Sequence, residues 1–379
     1  MPKVFNWQLN REIEYPYEAA PPKKQFAAVF DINKCIACQT CSMICKNAWT
    51  SGRGQEYMWW NNVETKPYGG YPQGWDMRIL SLLGPQSWDG DTYTGKTLIE
   101  TALERAADGR QVLGWLPEDE DWANQNLGED ESMGLIEGGA FFTLPHPVWS
   151  FYLQRICNHC TLPACLAACP RKAIYKRPED GIVLVDQERC RGYRECMRAC
   201  PFKKVMYNVA TRVAEKCIGC FPRIEQGLQP FCTVGCIGRI RINGWIHSPQ
   251  EADKENPVDY LVHTRKVALP LYPQFGLQNN IYYVPPIHVP ADYQRQMFGP
   301  NVEKAIETYR QAKDDPELLG VFILMGATDK WVEKFRVRGD EVMGYDAKGD
   351  EIVRVPLKEP TFIRPNFDIV RQVFRHNTT

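Results

Sequence analysis

The chain has 379 residues, 44% of them hydrophobic, which is length enough for more than one structural unit, and its formal charge of −1 offers no bulk basicity to recruit nucleic acid. No apolar run is long enough to span a membrane: residues 138–153 come nearest but contain Pro145, His146 and Pro147, and Val321 to Met325 has only the length of a core element. Met1 to Lys24 has Pro and scattered charges with no continuous apolar stretch, so no secretory signal is expected there.

Residues 1–25 read as an extended arm, because Tyr15, Pro16, Tyr17, Pro21 and Pro22 oppose helix. Phe26 to Ile32 reads as a strand entering the first cysteine run, Cys35-x2-Cys38-x2-Cys41-x3-Cys45, which is followed by Lys46 where such runs commonly close on Pro. Residues 46–150 form a loop-rich insertion without Cys, in which Trp59 and Trp60 either pack inside or meet a partner. Within it Thr97 to Ala107 is expected to be helical, and Glu118 to Asp121 and Glu129 to Glu131 to be solvated loop.

The second run is Cys157-x2-Cys160-x4-Cys165-x3-Cys169-Pro170, and the third is Cys190-x2-Tyr193-x2-Cys196-x3-Cys200-Pro201. Val205 to Ala214 looks like a strand leading to the fourth, Cys217-x2-Cys220 with Cys232-x3-Cys236, and Arg239 to Ile246 alternates like a strand that closes the unit. No Cys follows residue 249. Residues 265–300 are rich in Pro and Tyr, Val302 to Lys313 reads as a helix, and Phe335 to Val355 as a hairpin turning near Asp346 to Gly349. Arg364 to Thr379 reads as a docking arm or a frayed tail.

Fifteen Cys, an odd number in a long chain and in tight groups, argue for metal sites over disulfides. Zinc suits Cys217-x2-Cys220 with Cys232-x3-Cys236 taken alone. It does not call for Cys-x2-Cys-x2-Cys-x3-Cys. Runs that close on Cys-Pro are the ligand pattern of a two-cluster bacterial ferredoxin, in which the last Cys of each run serves the other cluster, so the chain is expected to move electrons. Runs two and three lie a ferredoxin length apart and make an inner module, and runs one and four are left to make an outer module that encloses it in sequence. The expected fold class is therefore α+β, with two nested ferredoxin-like modules, divided at residues 1–45, 46–150, 151–204, 205–248 and 249–379.

With crossed ligands, cluster one takes Cys35, Cys38, Cys41 and Cys236, and cluster two takes Cys45, Cys217, Cys220 and Cys232. Cluster three takes Cys157, Cys160, Cys165 and Cys200, which leaves Cys169, Cys190 and Cys196 for cluster four. Tyr193 stands where cluster four would find its remaining thiol. Three 4Fe-4S clusters and one 3Fe-4S cluster are expected, with Tyr193 beside the latter and not a ligand; the rival is a fourth cube completed by Tyr oxygen or water. Basic residues crowd these loops, Arg155, Lys203, Lys204 and Lys216 among them, and cations near a cluster favour its reduced state. His159 lies inside a cluster loop, but the thiol count leaves it no role as ligand.

The nested runs, the aromatic in place of a Cys, and the phrases CIACQTCSMICK and GQEYMWWNNVETKPYGGYP resemble the iron–sulfur beta subunits of molybdopterin oxidoreductases related to respiratory nitrate reductase. Within that group VFNWQLNREIEYPYE is most similar to nitrite oxidoreductase and the nitrate reductases nearest it. The resemblance covers residues 1–245 and, more loosely, the rest; Tyr193 departs from the Trp usual in nitrate-reductase beta subunits. It implies a non-catalytic electron-transfer subunit, a catalytic alpha subunit with bis-molybdopterin guanine dinucleotide, and a haem b gamma subunit or other cytochrome. Relatives acting on selenate, chlorate, perchlorate, dimethyl sulfide or ethylbenzene have the same architecture. A free polyferredoxin is the alternative outside this class, but it has no use for the long insertion and C-terminal extension. The resemblance also implies a periplasmic place by co-export with the catalytic subunit, the cytoplasmic face of the membrane being the alternative.

Overall fold

Strand Gln25–Asp31 reads QFAAVFD, and six of its seven residues are buried, the pattern of a strand covered on both faces. Side chains alternate across a strand, so Phe26, Ala28 and Phe30 enter one apolar core while Ala27 and Val29 enter another. A computed structural model supplies this geometry and describes residues 1–17, 22–67, 69–105, 109–122, 149–358, 366–368 and 370–375. The parts of the sequence reading that fall at Ala107, Glu129 to Glu131, residues 138–148 and part of the tail lie outside the described residues.

Gln25–Asp31 is central in a four-stranded sheet. It runs antiparallel to Arg241–Ile246, with Phe30 opposite Arg241, and parallel to Ile281–Val284, beyond which lies Leu269–Pro270. The strand that leads into the first Cys run is thus hydrogen-bonded to the strand that leaves the last one. Helix Thr40–Trp49 from run one packs on Phe231–Val234 from run four, and helix Ala164–Ala167 from run two packs on Glu195–Ala199 from run three. Helices and strands are mixed along the chain, as expected for an α+β protein.

The insertion is more ordered than its composition suggests. Strand Asn62–Lys66 pairs antiparallel with Phe151–Arg155, and helix Trp75–Leu83 packs beside them. Glu64 lies buried at this junction, 2.8 Å from Arg155 Nε and 3.4 Å from Lys66 Nζ, and it accepts a hydrogen bond of 2.8 Å from Trp75 Nε1. Lys66 also reaches Asp76 at 2.7 Å, and Tyr272 Oη donates to the same carboxylate at 3.0 Å. Burial pulls the Glu64 pKa up, but the charges of Arg155 and Lys66 outweigh it and bring the group down to about 2, so it stays ionised. Removing one partner of such a buried set leaves an uncompensated charge and costs roughly 3–5 kcal/mol.

Several elements differ from expectation, each for a local reason. Lys3–Asn6 and Arg11–Glu14 form a hairpin before the prolines of the arm, which oppose helix but not strand. The segment from Val205 is a hairpin, Val205–Asn208 with Val213–Lys216, because Asn208 Oδ1 accepts the N–H groups of Ala210 and Thr211 and turns the chain. Lys334–Arg338, Glu341–Tyr345 and Glu351–Pro356 make a three-stranded meander in place of one hairpin, with Gly339 at φ +59° supplying the extra turn. The helix expected from Thr97 spans Leu98–Glu104, started by a capping box between Thr97 and Glu100. The one expected from Val302 spans Val302–Arg310.

Candidate metal centres

All four Cys loops adopt the same unusual backbone. The residue before the second ligand position is left-handed in each: Ala37 at φ +53°, His159 at +42°, Gly192 at +68° and Gly219 at +63°. Non-glycine residues resist this region, so its recurrence marks a loop shape imposed by what the loop wraps. In runs one and three the residue after that position is left-handed too, Gln39 at +59° and Arg194 at +61°. Tyr193 therefore occupies in its loop the place that Cys38 occupies in the first, and both are exposed, Tyr193 to 63%.

The thiols gather around voids. Cys35, Cys38, Cys41 and Cys236 line one, together with Gln154 and Arg241. Cys45, Cys217, Cys220 and Cys232 line a second, with Trp60 and Asn61. Cys157, Cys160, Cys165 and Cys200 line a third. Cys196 lies within electrostatic reach of Cys169 and Cys190. Among the described residues no three Cys, His, Asp or Glu converge tightly enough to hold a single ion; the thiols stand around walls instead.

The surroundings suit sulfur-rich anions. Peptide N–H groups point at thiol sulfurs: His159 at Cys157 (3.5 Å), Ala173 at Cys169 (3.3 Å), Ala214 at Cys190 (3.4 Å) and Gly219 at Cys217 (3.4 Å). The Trp49 indole N–H donates to Cys220 at 3.2 Å. Trp60 Nε1 and Asn61 Nδ2 at the second void, and Arg241 Nε and Nη1 at the first, are buried with no hydrogen-bond partner among the described residues. Buried donors without acceptors are costly, and cluster sulfides are acceptors that would satisfy them. Burial, followed by repulsion from neighbouring thiols, pushes Cys45 well up, and Cys196 and Cys220 up to about 12. Such thiols give up their protons only to a metal centre that replaces them. The residues fit iron–sulfur clusters.

The first three sites follow one another directly. Cys232 of the second void feels Cys41 of the first, and Cys217 of the second feels Cys157 of the third. Cys165 and Cys200 of the third share one packed cluster with Cys190 and Cys196. The first and last sites carry the exposed positions Cys38 and Tyr193, while Cys45, Cys217, Cys220 and Cys232 between them are buried.

His159 is buried, accepts the Val183 N–H on Nδ1 at 3.1 Å and packs edge-on to Phe26; burial and the nearby Lys216 and Lys176 hold it neutral. Trp60 is buried, and half-buried Trp59 lies under the Lys46 ammonium, so both pack within the chain. Arg241 escapes sequence reasoning, because in an alternating strand it passes for an outward-facing residue.

A ferredoxin-type chain with several cluster sites is an electron carrier, and comparison with known proteins narrows the class. The family of 4Fe-4S dicluster domains matches residues 148–245. The chain is 42% identical over 342 residues to the chlorate reductase subunit beta of Ideonella dechloratans, covering 81% of this chain and 98% of that one. It is 40% identical to the selenate reductase subunit beta of Thauera selenatis, over the same shares, and 38% identical to the respiratory nitrate reductase subunit beta of Haloferax mediterranei, over 76% and 86%. The chain belongs to the family of iron–sulfur beta subunits of molybdopterin-dependent oxidoreductases, electron-transfer subunits that partner with a molybdopterin catalytic subunit. Among the described residues no helix is long and apolar enough to cross a membrane.

Proposed function

We propose that this chain holds three 4Fe-4S clusters and one 3Fe-4S cluster in two nested ferredoxin-like modules and relays electrons along them in the order one, two, three, four. The observation that carries the reading is the grouping of thiols around voids: Cys236, far along the chain, faces Cys35, Cys38 and Cys41, and Cys45 faces Cys217, Cys220 and Cys232. A loaded centre takes up and releases one electron at a time; the chain anchors it through thiolate, offers N–H groups to its sulfurs and keeps water from the inner sites. Iron and acid-labile sulfide analysis of the purified complex, with electron paramagnetic resonance, is expected to return this complement for the beta chain. Absence of an oxidised 3Fe-4S signal assignable to it would sink the assignment.

The two ends suit different partners. Around the first site Ile36 (67%), Met43 (48%), Val234 (42%) and Ile237 (66%) are exposed, an apolar face of the kind that permanent interfaces bury, and this end is assigned to the catalytic subunit. Around the last site Tyr193 stands among exposed Arg189, Arg191 and Arg194, a charged face suited to a haem b subunit or other cytochrome. Nitrite oxidation or nitrate reduction is the proposed chemistry of the complex, supported by the N-terminal phrase VFNWQLNREIEYPYE. Reduction of chlorate or selenate is the second reading, favoured by the identities of 42% and 40% to those beta subunits. The complex is placed outside the cytoplasm by co-export with its catalytic subunit, the reading that the same N-terminal resemblance supports. Fractionating cells with and without the catalytic subunit's signal should show the beta chain following that subunit; a beta chain left in the cytoplasm beside an exported partner would contradict co-export.

A further inference from the structure

We propose that Arg241 and Lys216 are gap cations, each a buried positive charge set between two neighbouring cluster sites and raising the potentials of both. This rests on the cluster reading above and adds what sets the spacing of potentials along the chain.

Arg241 begins strand Arg241–Ile246, and its side chain is fully buried over the ring of Phe30, 4.4 Å from guanidinium carbon to centroid. Its Nη2 donates to Cys41 Sγ at 3.1 Å, at the first site. The same guanidinium faces the thiol of Cys232, which lines the second. Nε and Nη1 have no hydrogen-bond partner among the described residues. Lys216 ends strand Val213–Lys216 directly before Cys217 of the second site; Nζ is buried, donates to the carbonyls of Cys217 (2.8 Å) and Val183, and faces Cys157 and Cys165 of the third. Arg155 and Lys66, by contrast, are paired with Glu64 and Asp76, while buried Lys203 and Lys204 donate to backbone carbonyls and Asn62 and, among the described residues, form no ion pair. Among the described residues no carboxylate forms an ion pair with Arg241 or Lys216.

The physics follows from charge and distance. Adding an electron makes a cluster more negative, and in a site shielded from water a nearby cation stabilises that form and raises the midpoint potential. A cation in the gap acts on both neighbours at once and also screens their mutual repulsion, so that an electron on one site hinders less the arrival of an electron on the next.

The test is a potentiometric titration of the intact complex, followed by electron paramagnetic resonance. With Arg241→Gln, clusters one and two should each lose about tenfold in the ratio of reduced to oxidised form at fixed potential, equivalent to about 59 mV for one electron, while three and four hold. With Lys216→Gln, clusters two and three should fall while one and four hold. Fully loaded chains whose potentials do not move, or in which only one cluster responds to each substitution, would overturn the proposal. Should Arg241→Gln fail to assemble, Arg241→Lys decides: it keeps the charge and loses the fork, so both potentials should stay within threefold of the wild-type ratio, and a tenfold fall in either would overturn it. Iron content of the wild-type complex keeps the two readings apart: too few clusters there overturns the cluster assignment and the gap-cation proposal with it, whereas a full complement with unmoved potentials overturns the gap-cation proposal alone.

Discussion

Cys236→Ser is expected to abolish cluster one and to leave cluster two in place. Cys236 lies only four positions beyond Cys232, past the end of the short helix Phe231–Val234, yet the two face different voids: Cys236 lies with Cys35, Cys38 and Cys41, and Cys232 with Cys45, Cys217 and Cys220. Serine oxygen is a harder and poorer ligand for such iron than thiolate. The first site is also the more open of the two, with Cys38 exposed, so that a weakened corner there admits water and loses iron. Because this site ends the relay as proposed, electron transfer to or from the catalytic subunit should fall by orders of magnitude while the remaining clusters stay visible. Spectroscopy of the reduced complex makes the check, and loss of cluster two with cluster one intact would show that the runs do not exchange ligands.

If the fourth site is the 3Fe-4S centre proposed above, Tyr193→Cys should convert it into a fourth cube, adding one iron per chain and removing the oxidised 3Fe-4S signal. The backbone is already shaped for it, since Gly192 and Arg194 flank position 193 with the left-handed turns that Ala37 and Gln39 place around Cys38. Cys190 and Cys196 keep their surroundings, including the Ala214 N–H at Cys190, so nothing else has to move. The change should alter the potential of the terminal site through cluster type and charge, and with it the rate of exchange with the cytochrome proposed as partner. Persistence of an unchanged 3Fe-4S signal in the variant would defeat the argument that Tyr193 leaves the corner without its thiolate.

How far the sequence reaches depends on the range of the interaction. Short-range features were legible: the strand before Cys35, the capping-box helix at Thr97 and the close thiol spacings follow from residues a few positions apart. Turns made by a single side chain were missed, as at Asn208, where one carboxamide divides an apparently continuous strand. The insertion read as loops because the partner of Asn62–Lys66 lies at Phe151–Arg155, and a strand whose partner is distant has no local signal beyond its own weak alternation.

The sequence by itself determined the chemistry of this protein. Cys runs of ferredoxin spacing, two of them closing on Pro, have ligands for iron–sulfur clusters whatever surrounds them, because a cluster loop is made by consecutive residues. It determined the family as well, through phrases that extend well beyond the Cys. Only the tertiary structure decided which sites are neighbours, which ends are exposed, and where charge lies between them. Arg241 looks like an ordinary polar position in its strand and Lys216 like one of many basic residues in the cluster loops; that both are buried between two sites is decided only by the fold. The physical reason is that ligand identity is a property of the local chain, whereas electrostatic influence is a property of distance and burial, and these are fixed by contacts between segments far apart in sequence, 200 residues in the case of Arg241 and Cys41.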